Sequence, residues 1–213
     1  MMKDITEEMI FENAMTRELS KIEQLSITGK SISSLITGTA SMRRMSNLKE
    51  LNLSNNRISM VAALSELKSL TSLNLSSNRI EELKNLNMPI LTTLILDHNL
   101  IRVLSGFRGL KKLEELSISD NLIENASIQE TGFQLVSLAE LNLSGNQIRT
   151  VGKLFGFPYI KDIVLNRNPI TSIESIAFSA CPELTSLSLN DIKLPNYQGD
   201  LKFLRQCQNL EQL

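Results

Sequence analysis

One histidine and two aspartates stand close together near the middle of the chain, and they are the residues best suited to bind a metal or to exchange protons. His98 directly follows Asp97, and Asp120 lies 22 residues beyond His98. Imidazole and carboxylate groups are common zinc ligands and common general acids and bases. A metal site, however, usually needs three or four converging ligands, and an active site needs a pocket that excludes water. We therefore predict no metal, no cofactor and no catalytic residue here, and we expect that the protein is not an enzyme.

The serines and glycines give no signal for covalent catalysis or for phosphate binding. Ser119 lies close to His98 in the pattern described below, but it is one of many serines that recur at the same position. No glycine-rich motif of the kind that binds phosphate groups is present. The glycines between apolar segments instead suit turns that require positive φ. They are Gly106, Gly109, Gly152 and Gly156.

Three carboxylates recur at one position of a repeated sequence pattern. They are Glu115, Glu140 and Asp162, and each stands directly before the second leucine or isoleucine of its copy of the pattern. If the copies form neighbouring parallel strands, about 4.8 Å apart, these side chains line up as an acidic ridge. The positions of these three carboxylates therefore depend on the structure that the repeat forms.

The repeated pattern is Leu-x-x-Leu-x-Leu-x-x-Asn-x-Ile, and it returns about every 22 residues. Its first full copy comprises Leu48, Leu51, Leu53, Asn56 and Ile58. Self-similarity at a fixed period predicts a solenoid in which each copy is one structural unit stacked on the next. Six full copies begin at Leu48, Leu70, Leu91, Leu113, Leu138 and Ile160, and weaker copies begin at Ile22 and Leu184. We number these units, in chain order, repeats one to eight.

Each repeat predicts one short strand followed by a return segment. The Leu-x-Leu portion alternates apolar and polar residues, as a half-buried strand does. Stacking pairs the strands in parallel and buries the leucines in columns, while the Asn after each strand satisfies turn backbone groups. Return segments are bulkier than strands, so the sheet lines the concave side. The predicted fold class is α/β: a right-handed, horseshoe-shaped solenoid with its parallel sheet on the concave side and 3₁₀ or short helices on the convex side.

The two ends of the chain differ from the repeat. Apolar residues recur at helical spacing near the N-terminus, and Thr6 followed by two glutamates suits a helix start. We therefore predict a capping helix over residues 4–20 within an N-terminal segment 1–21. About eight repeats then occupy residues 22–194. Residues 195–213 form a segment that resembles a cap, and we expect it to continue in a longer parent protein.

The composition excludes several classes of function. A formal net charge of −1 gives no case for nucleic acid or an anionic membrane as a partner, and no apolar run is long enough to span a bilayer. The N-terminus carries acids where a secretion signal would carry bases. With only Cys181 and Cys207 present, which we predict to be small buried residues, free thiols in a reducing compartment are the simpler reading. We expect a cytoplasmic protein that is not secreted, with the nucleus and the cytoskeleton or cilium as alternatives.

The repeat residues resemble those of the leucine-rich repeat family, and their spacing is similar to that of a short cytoplasmic subclass typified by the regulatory subunit of protein phosphatase 1. The tail, with residues 195–197 leading into residues 201–207, resembles the cap of several such proteins, including a spliceosomal subunit and an axonemal dynein light chain. The resemblance implies a protein-binding module that uses the concave sheet. It leaves three alternatives: a phosphatase regulatory subunit, an axonemal or cytoskeletal assembly subunit, and a structural module of a larger multidomain enzyme.

The concave positions that depart from the commonest repeat residues are the predicted binding site for a protein partner with a basic or mixed-charge surface. Ile95 and Val164 are expected as solvent-facing aliphatics beside the acidic ridge, with Arg167 as the one cation. The alternative reading is an ordinary solvated polar face, since isolated exposed aliphatics are common. The full set is Thr93, Ile95, Asp97, His98, Glu115, Ser117, Asp120, Glu140, Asn142, Asp162, Val164 and Arg167.

Overall fold

The computed structural model describes residues 3–36, 38–84, 86–128, 132–194 and 201–213. Its main element is an eight-stranded, fully parallel sheet to which each repeat contributes one strand, and this confirms the predicted solenoid fold. A separate two-stranded parallel sheet forms on the return side. The main strands are β1 (Gln24–Ser26), β2 (Glu50–Asn52), β3 (Ser72–Asn74), β4 (Thr93–Ile95), β5 (Glu115–Ser117), β6 (Glu140–Asn142), β8 (Asp162–Val164) and β10 (Ser186–Ser188), and the small sheet pairs β7 (Thr150–Val151) with β9 (Ser172–Ile173).

The strands pair so that equivalent residues of successive repeats lie side by side. The middle residue of every strand is apolar, buried and opposite its counterpart, as Leu94 is opposite Leu116. This register turns the leucines of the pattern into a continuous aliphatic core. The return segments close the core from the other side with buried aromatic rings and short helical turns. The buried rings are Phe107, Phe157, Phe178 and Phe203.

Helical structure on the return side is sparse. An α-helix, α2, covers Thr39–Arg44, and 3₁₀ turns cover Ala62–Glu66 and Leu201–Gln206. The remaining return segments are extended or turn-like. The bulk of the fold is therefore held by the sheet and by contacts between successive turns of the solenoid.

A buried asparagine follows the strand in six of the eight repeats and satisfies the backbone of the turn. The Nδ2 atom of Asn99 donates to the carbonyl oxygens of Leu75 and Leu96, at 3.0 and 2.9 Å. Its Oδ1 accepts from the backbone N–H of Ile80 at 2.9 Å. Each asparagine thus ties its own turn to the preceding repeat. The equivalent residues, with corresponding bonds, are Asn56, Asn78, Asn121, Asn146 and Asn168.

The residue before this asparagine position adopts a left-handed backbone conformation in every repeat. Its φ is 55° at His98, 53° at Asp120 and 55° at Arg167. Non-glycine residues rarely occupy this region, although Asn and Asp tolerate it better than most. Three of the predicted site residues therefore sit in the turn that ends each strand. The other members of this set are Gly29, Asn55, Ser77, Gly145 and Asp191.

The predicted N-terminal helix over residues 4–20 is wrong in its extent. The helix α1 covers only Glu7–Asn13, and a 3₁₀ turn covers Leu19–Lys21. Thr6 caps α1 as expected, because its side chain accepts from the N–H of Met9 at 3.2 Å. The chain leaves the helix at residue 14 in an extended conformation, so the side chain of Met15 is fully exposed rather than buried. The burial of Leu19 comes from the separate 3₁₀ turn, which helical spacing alone cannot distinguish from a longer helix.

The described part of the C-terminal segment follows the geometry of the repeats. Residues 195–197, which open the segment that resembles a cap, lie outside the described residues. Gln212 forms a parallel bridge with Ser186, and the N–H groups of Glu211 and Gln212 both donate to the carbonyl oxygen of Thr185. The N–H groups of Thr185 and Ser186 donate in the same way to Lys161. Residues 211–212 therefore continue the ladder beyond β10.

Substitution of Asn99 by Asp tests the asparagine bonds without changing the shape of the side chain. We expect a loss of about 2–3 kcal/mol in the free energy of unfolding, because two buried carbonyls lose their donor and face a carboxylate oxygen. Urea unfolding at pH 7 measures the loss. Asn55→Asp is the matched control, since Asn55 is exposed and Asp also tolerates its left-handed conformation. Equal stability of the two variants would contradict this role of the ladder.

The two cysteines provide a second test of the packing. Burial raises the pKa of the Cys181 thiol to about 12, and burial also raises the pKa of Cys207. Because only the thiolate reacts readily, we expect a thiol reagent at pH 8 to label Cys181 about a thousandfold more slowly in the folded protein than in the denaturant-unfolded protein. Rapid labelling of Cys181 under native conditions would mean that the C-terminal repeats open far more often than their burial implies.

Candidate protein-binding face

The predicted acidic ridge is present as a row of carboxylates on three neighbouring strands. Glu115 lies opposite Glu140, and Glu140 lies opposite Asp162. Glu115 and Glu140 are exposed, and Asp162 is half-buried. Within the part of the chain that the structure describes, no lysine or arginine forms an ion pair with any of the three. We call these three residues the acidic column.

A second row runs beside the acidic column through the last residue of each strand. Ile95, Ser117, Asn142 and Val164 are in register and half-buried. The Asn142 Nδ2 donates to Ser117 Oγ at 3.2 Å, so the two polar members bond to each other. Ile95 and Val164 stand at the ends of this row, three strand spacings or about 14 Å apart. We call the four residues the middle column.

The turn residues after the strands form a third row, and it contains an ion pair that the sequence did not reveal. Arg167 donates from Nη1 and Nη2 to the two carboxylate oxygens of Asp120, at 3.0 and 3.1 Å. These hydrogen bonds, and then the charge of Asp120, raise the pKa of the Arg167 guanidinium. His98 Nε2 lies 3.7 Å from Asp120 Oδ2 on the other side. Asp120 therefore compensates the charge of Arg167, the residue that the sequence predicted as the one cation beside the acidic ridge.

The pair between Asp120 and Arg167 spans a whole repeat, and a glycine makes this possible. The intervening turn residue is Gly145, whose φ is +65°. A Cβ atom at this position would overlap the Asp120 carboxylate and would lie 3.3 Å from the Arg167 Nη2. The missing side chain leaves the space through which Arg167 reaches back to repeat five. Gly145 thus determines the electrostatics of this row.

Asp97 has a structural role that its sequence position did not show. Its Oδ1 accepts from Ser117 Oγ at 2.7 Å and from the N–H of Ser119 at 2.8 Å. In repeats with Asn as the last strand residue, that Asn satisfies the equivalent N–H of its own repeat, as Asn142 does for Ser144 at 3.0 Å. Repeat five has Ser117 there, so the acceptor comes from repeat four. We call this arrangement the crossed cap.

The crossed cap occurs a second time, between repeats seven and eight. Asn166 Oδ1 accepts from Ser188 Oγ at 2.9 Å and from the N–H of Asn190 at 2.7 Å. In both cases Ser replaces the strand Asn, and an Asp or Asn stands two residues after the aliphatic end of the preceding strand. That combination is the sequence signal that could have identified Asp97 as a structural residue.

The geometry gives no support for metal or acid–base chemistry at His98. Asp97 is engaged with repeat five, while His98 and Asp120 meet at the edge of an open face. Among the described residues, no group of three or more His, Cys, Asp or Glu side chains is placed to hold a metal ion. Within the same residues, no helix is long and apolar enough to cross a membrane.

The face formed by the three rows is far more acidic than the chain as a whole. We call this surface, from repeats four to seven, the sheet face. Its strand and turn positions, together with the residue directly before each strand, carry six acids and only two bases, whereas the whole chain has a formal net charge of −1. The bases are Lys161 and Arg167, and the acids are Asp97, Glu114, Glu115, Asp120, Glu140 and Asp162.

Substitution of Gly145 by Ala tests whether the ion pair between Asp120 and Arg167 needs the space that this glycine leaves. We expect a loss of about 2–3 kcal/mol in the free energy of unfolding, because positive φ disfavours a Cβ and the new methyl group displaces the Asp120 carboxylate. Gly132→Ala is the control, since Gly132 also has positive φ, at 70°, but its Cβ would meet nothing within 4 Å. Chemical denaturation measures both. Equal losses for the two variants would show that overlap with the Asp120 carboxylate adds nothing to the destabilisation caused by positive φ.

Comparison with known proteins identifies the repeat. Residues 20–80 match the family model described as Leucine rich repeat, and residues 87–211 match the model described as BspA type Leucine rich repeat region (6 copies). The chain is 42% identical over 60 residues to Tsukushi-A of Xenopus laevis, a match that covers 28% of this chain and 16% of Tsukushi-A.

Two solved structures share the fold. A chain in the crystal structure of the TLR13–ssRNA13 complex superposes with a TM-score of 0.74 at 25% identity, over 87% of this chain and 27% of that one. A chain in the octameric complex of Latrophilin 3 (Lec, Olf), Unc5D (Ig, Ig2, TSP1) and FLRT2 (LRR) superposes with a TM-score of 0.75 at 27% identity, over 90% of this chain and 60% of that one.

The chain therefore spans less than two thirds of each of these three proteins. The second family model alone matches more than half of the chain, and its matched residues coincide with the repeats of the solenoid. The protein belongs to the leucine-rich repeat family.

Proposed function

We propose that the protein is a non-enzymatic binding module whose sheet face, across repeats four to seven, holds a segment of a partner protein that carries basic side chains. The observation that carries the proposal is the acidic column: three carboxylates on adjacent strands with no basic partner among the described residues. Like charges about 5 Å apart repel one another, and a cationic partner relieves that repulsion. The half-buried aliphatics at both ends of the middle column add apolar contact area.

The comparisons support a protein-binding role in general. One fold neighbour comes from a complex of several proteins, Latrophilin 3, Unc5D and the leucine-rich repeats of FLRT2. The other comes from a complex with RNA. For this chain the acidic sheet face favours a protein over a nucleic acid, because phosphate groups would be repelled by it.

The alternative of a phosphatase regulatory subunit has less support. Relatives of that subclass bind the phosphatase through aromatic residues among acids on the concave sheet. The described strands of this chain contain the acids but no Phe, Tyr or Trp. An axonemal or cytoskeletal subunit and a module of a larger enzyme are both compatible with a basic partner segment. The two buried free thiols are in keeping with the proposed cytoplasmic location.

The binding proposal is tested with two single substitutions on the sheet face. A library of random linear peptides is displayed on phage and selected against the wild-type protein, and the affinities of the selected peptides are then measured. We expect enrichment of Lys and Arg, and we expect Ile95→Arg and Glu140→Lys each to weaken binding by about tenfold or more, because both add repulsion against a basic segment. Melting temperatures should change little, since both positions are at least partly exposed.

Ser72→Lys is the matched control for this experiment. Ser72 occupies the same position of β3 as Glu140 occupies in β6, but it lies outside the proposed surface. Its variant should retain wild-type affinity. Peptides that bind equally well to Ile95→Arg, Glu140→Lys and the wild type would place the binding surface elsewhere on the molecule.

A further inference from the structure

We infer that the partner segment on the sheet face is an α-helix that lies across the strands and presents a stripe of Lys or Arg side chains to the acidic column. This inference rests on the proposed function and names the partner class for that site. It follows from three features of the face: the spacing of the carboxylates, the spacing of the aliphatics, and the fixed position of Arg167.

The spacing of the acidic column suits a helix better than an extended peptide. Two strand steps separate Glu115 from Asp162, which is roughly 9.6 Å. Side chains at i, i+3 or i+4, and i+7 lie on one helix face and span about 10.5 Å in two steps. In an extended peptide the side chains on one face are about 6.6 Å apart, so two steps span about 13 Å. A helix therefore matches all three carboxylates with an error near 1 Å, and a strand does not.

The separation of the aliphatic residues in the middle column also agrees with the dimensions of a helix. Ile95 and Val164 are three strand steps apart, or about 14.4 Å. Eleven residues of helix make about three full turns and span about 16.5 Å, so apolar side chains eleven positions apart lie on one helix face and reach both aliphatics to within about 2 Å. The polar residues between them, Ser117 and Asn142, are hydrogen-bonded to each other, so the helix need not supply a hydrogen-bonding side chain opposite them.

The ion pair between Asp120 and Arg167 fixes one border of the surface. Because both guanidinium Nη atoms bond the Asp120 carboxylate, Arg167 is held away from the acidic column. No basic side chain among the described residues pairs with the acidic column, and the partner supplies the compensating cations. Lys161, the other base of this region, stands directly before Asp162 and is exposed, but it makes no ion pair with the acidic column in the described structure.

The charge complementarity of the face selects the chemistry of this helix. A helix with an apolar stripe alone would leave three carboxylates facing apolar surface without a partner, at a cost in desolvation. A helix with acids would add repulsion. We therefore assign the site to a basic helix with two aliphatic side chains about eleven residues apart, rather than to an acidic or purely apolar one.

Two scaffolded libraries with the same randomised composition provide the test. One displays the random positions on the exposed face of a helix in a small helical bundle, and the other displays them on one strand of a disulfide-closed β-hairpin. Both are selected against the full chain. We expect the helical library to yield binders with Lys or Arg at i, i+3 or i+4, and i+7, and we expect the hairpin library to yield none that bind the sheet face.

A triple substitution of the acidic column checks where the selected helices bind. Glu115→Gln, Glu140→Gln and Asp162→Asn together should raise the Kd of these helices by about tenfold, which is the combined effect of three exposed ion pairs. The control triple Glu8→Gln, Glu12→Gln and Glu81→Gln changes the net charge equally at exposed positions outside the sheet face, and it should leave the Kd unchanged.

The outcomes separate this inference from the proposed function. If hairpin or linear peptides bind the sheet face and helices do not, the inference of a helix is wrong while the binding function stands. If no library yields a binder that is sensitive to the triple substitution or to Ile95→Arg, both are wrong. Helical binders with acids in place of Lys and Arg would also overturn the inference.

Discussion

Each turn of the solenoid reverses the chain at a point where its amide and carbonyl groups are shielded from water, and those groups must find partners inside the protein. In six of the eight repeats one asparagine supplies them, with donors for carbonyls of two successive repeats and an acceptor for an N–H of the preceding one. The same bonds hold neighbouring turns at strand spacing, so the aliphatic columns depend on them as well. The left-handed residue before the asparagine follows from the same turn, which explains why it occurs even where His98 or Arg167 occupies the position.

This constraint limits where the chain can vary without losing the fold. Core leucines, turn asparagines and most strand-end residues are engaged in packing or in backbone bonds. The side chains directly before the buried strand residue are the least constrained, and this is where the acidic column lies. Its charge cannot be explained by stability, because adjacent carboxylates without a basic partner are unfavourable. The repulsion between these carboxylates therefore destabilises the free protein, and a basic binding partner would offset it.

The sequence predicted the parallel sheet, its register and the acidic column because all three depend only on position within a periodic pattern. It did not predict interactions that depend on what a repeat lacks. The pair between Asp120 and Arg167 requires that Gly145 has no side chain, and the role of Asp97 requires that repeat five has no strand asparagine. The N-terminal helix was overextended for a related reason: helical spacing shows which residues are buried, but it does not show where the backbone leaves the helix.

The two crossed caps have a consequence for how such a chain can be rebuilt. In repeats two, three and six the strand asparagine accepts the N–H two residues further on, so this one bond stays within its own repeat. Repeats five and eight borrow an acceptor from the unit before them, from Asp97 and from Asn166. Repeats four and five therefore form one unit that must be kept together, and repeats seven and eight form another. Shuffling or deletion that respects these pairs preserves the crossed caps, whereas a cut between their members leaves the N–H of Ser119 or of Asn190 without its acceptor.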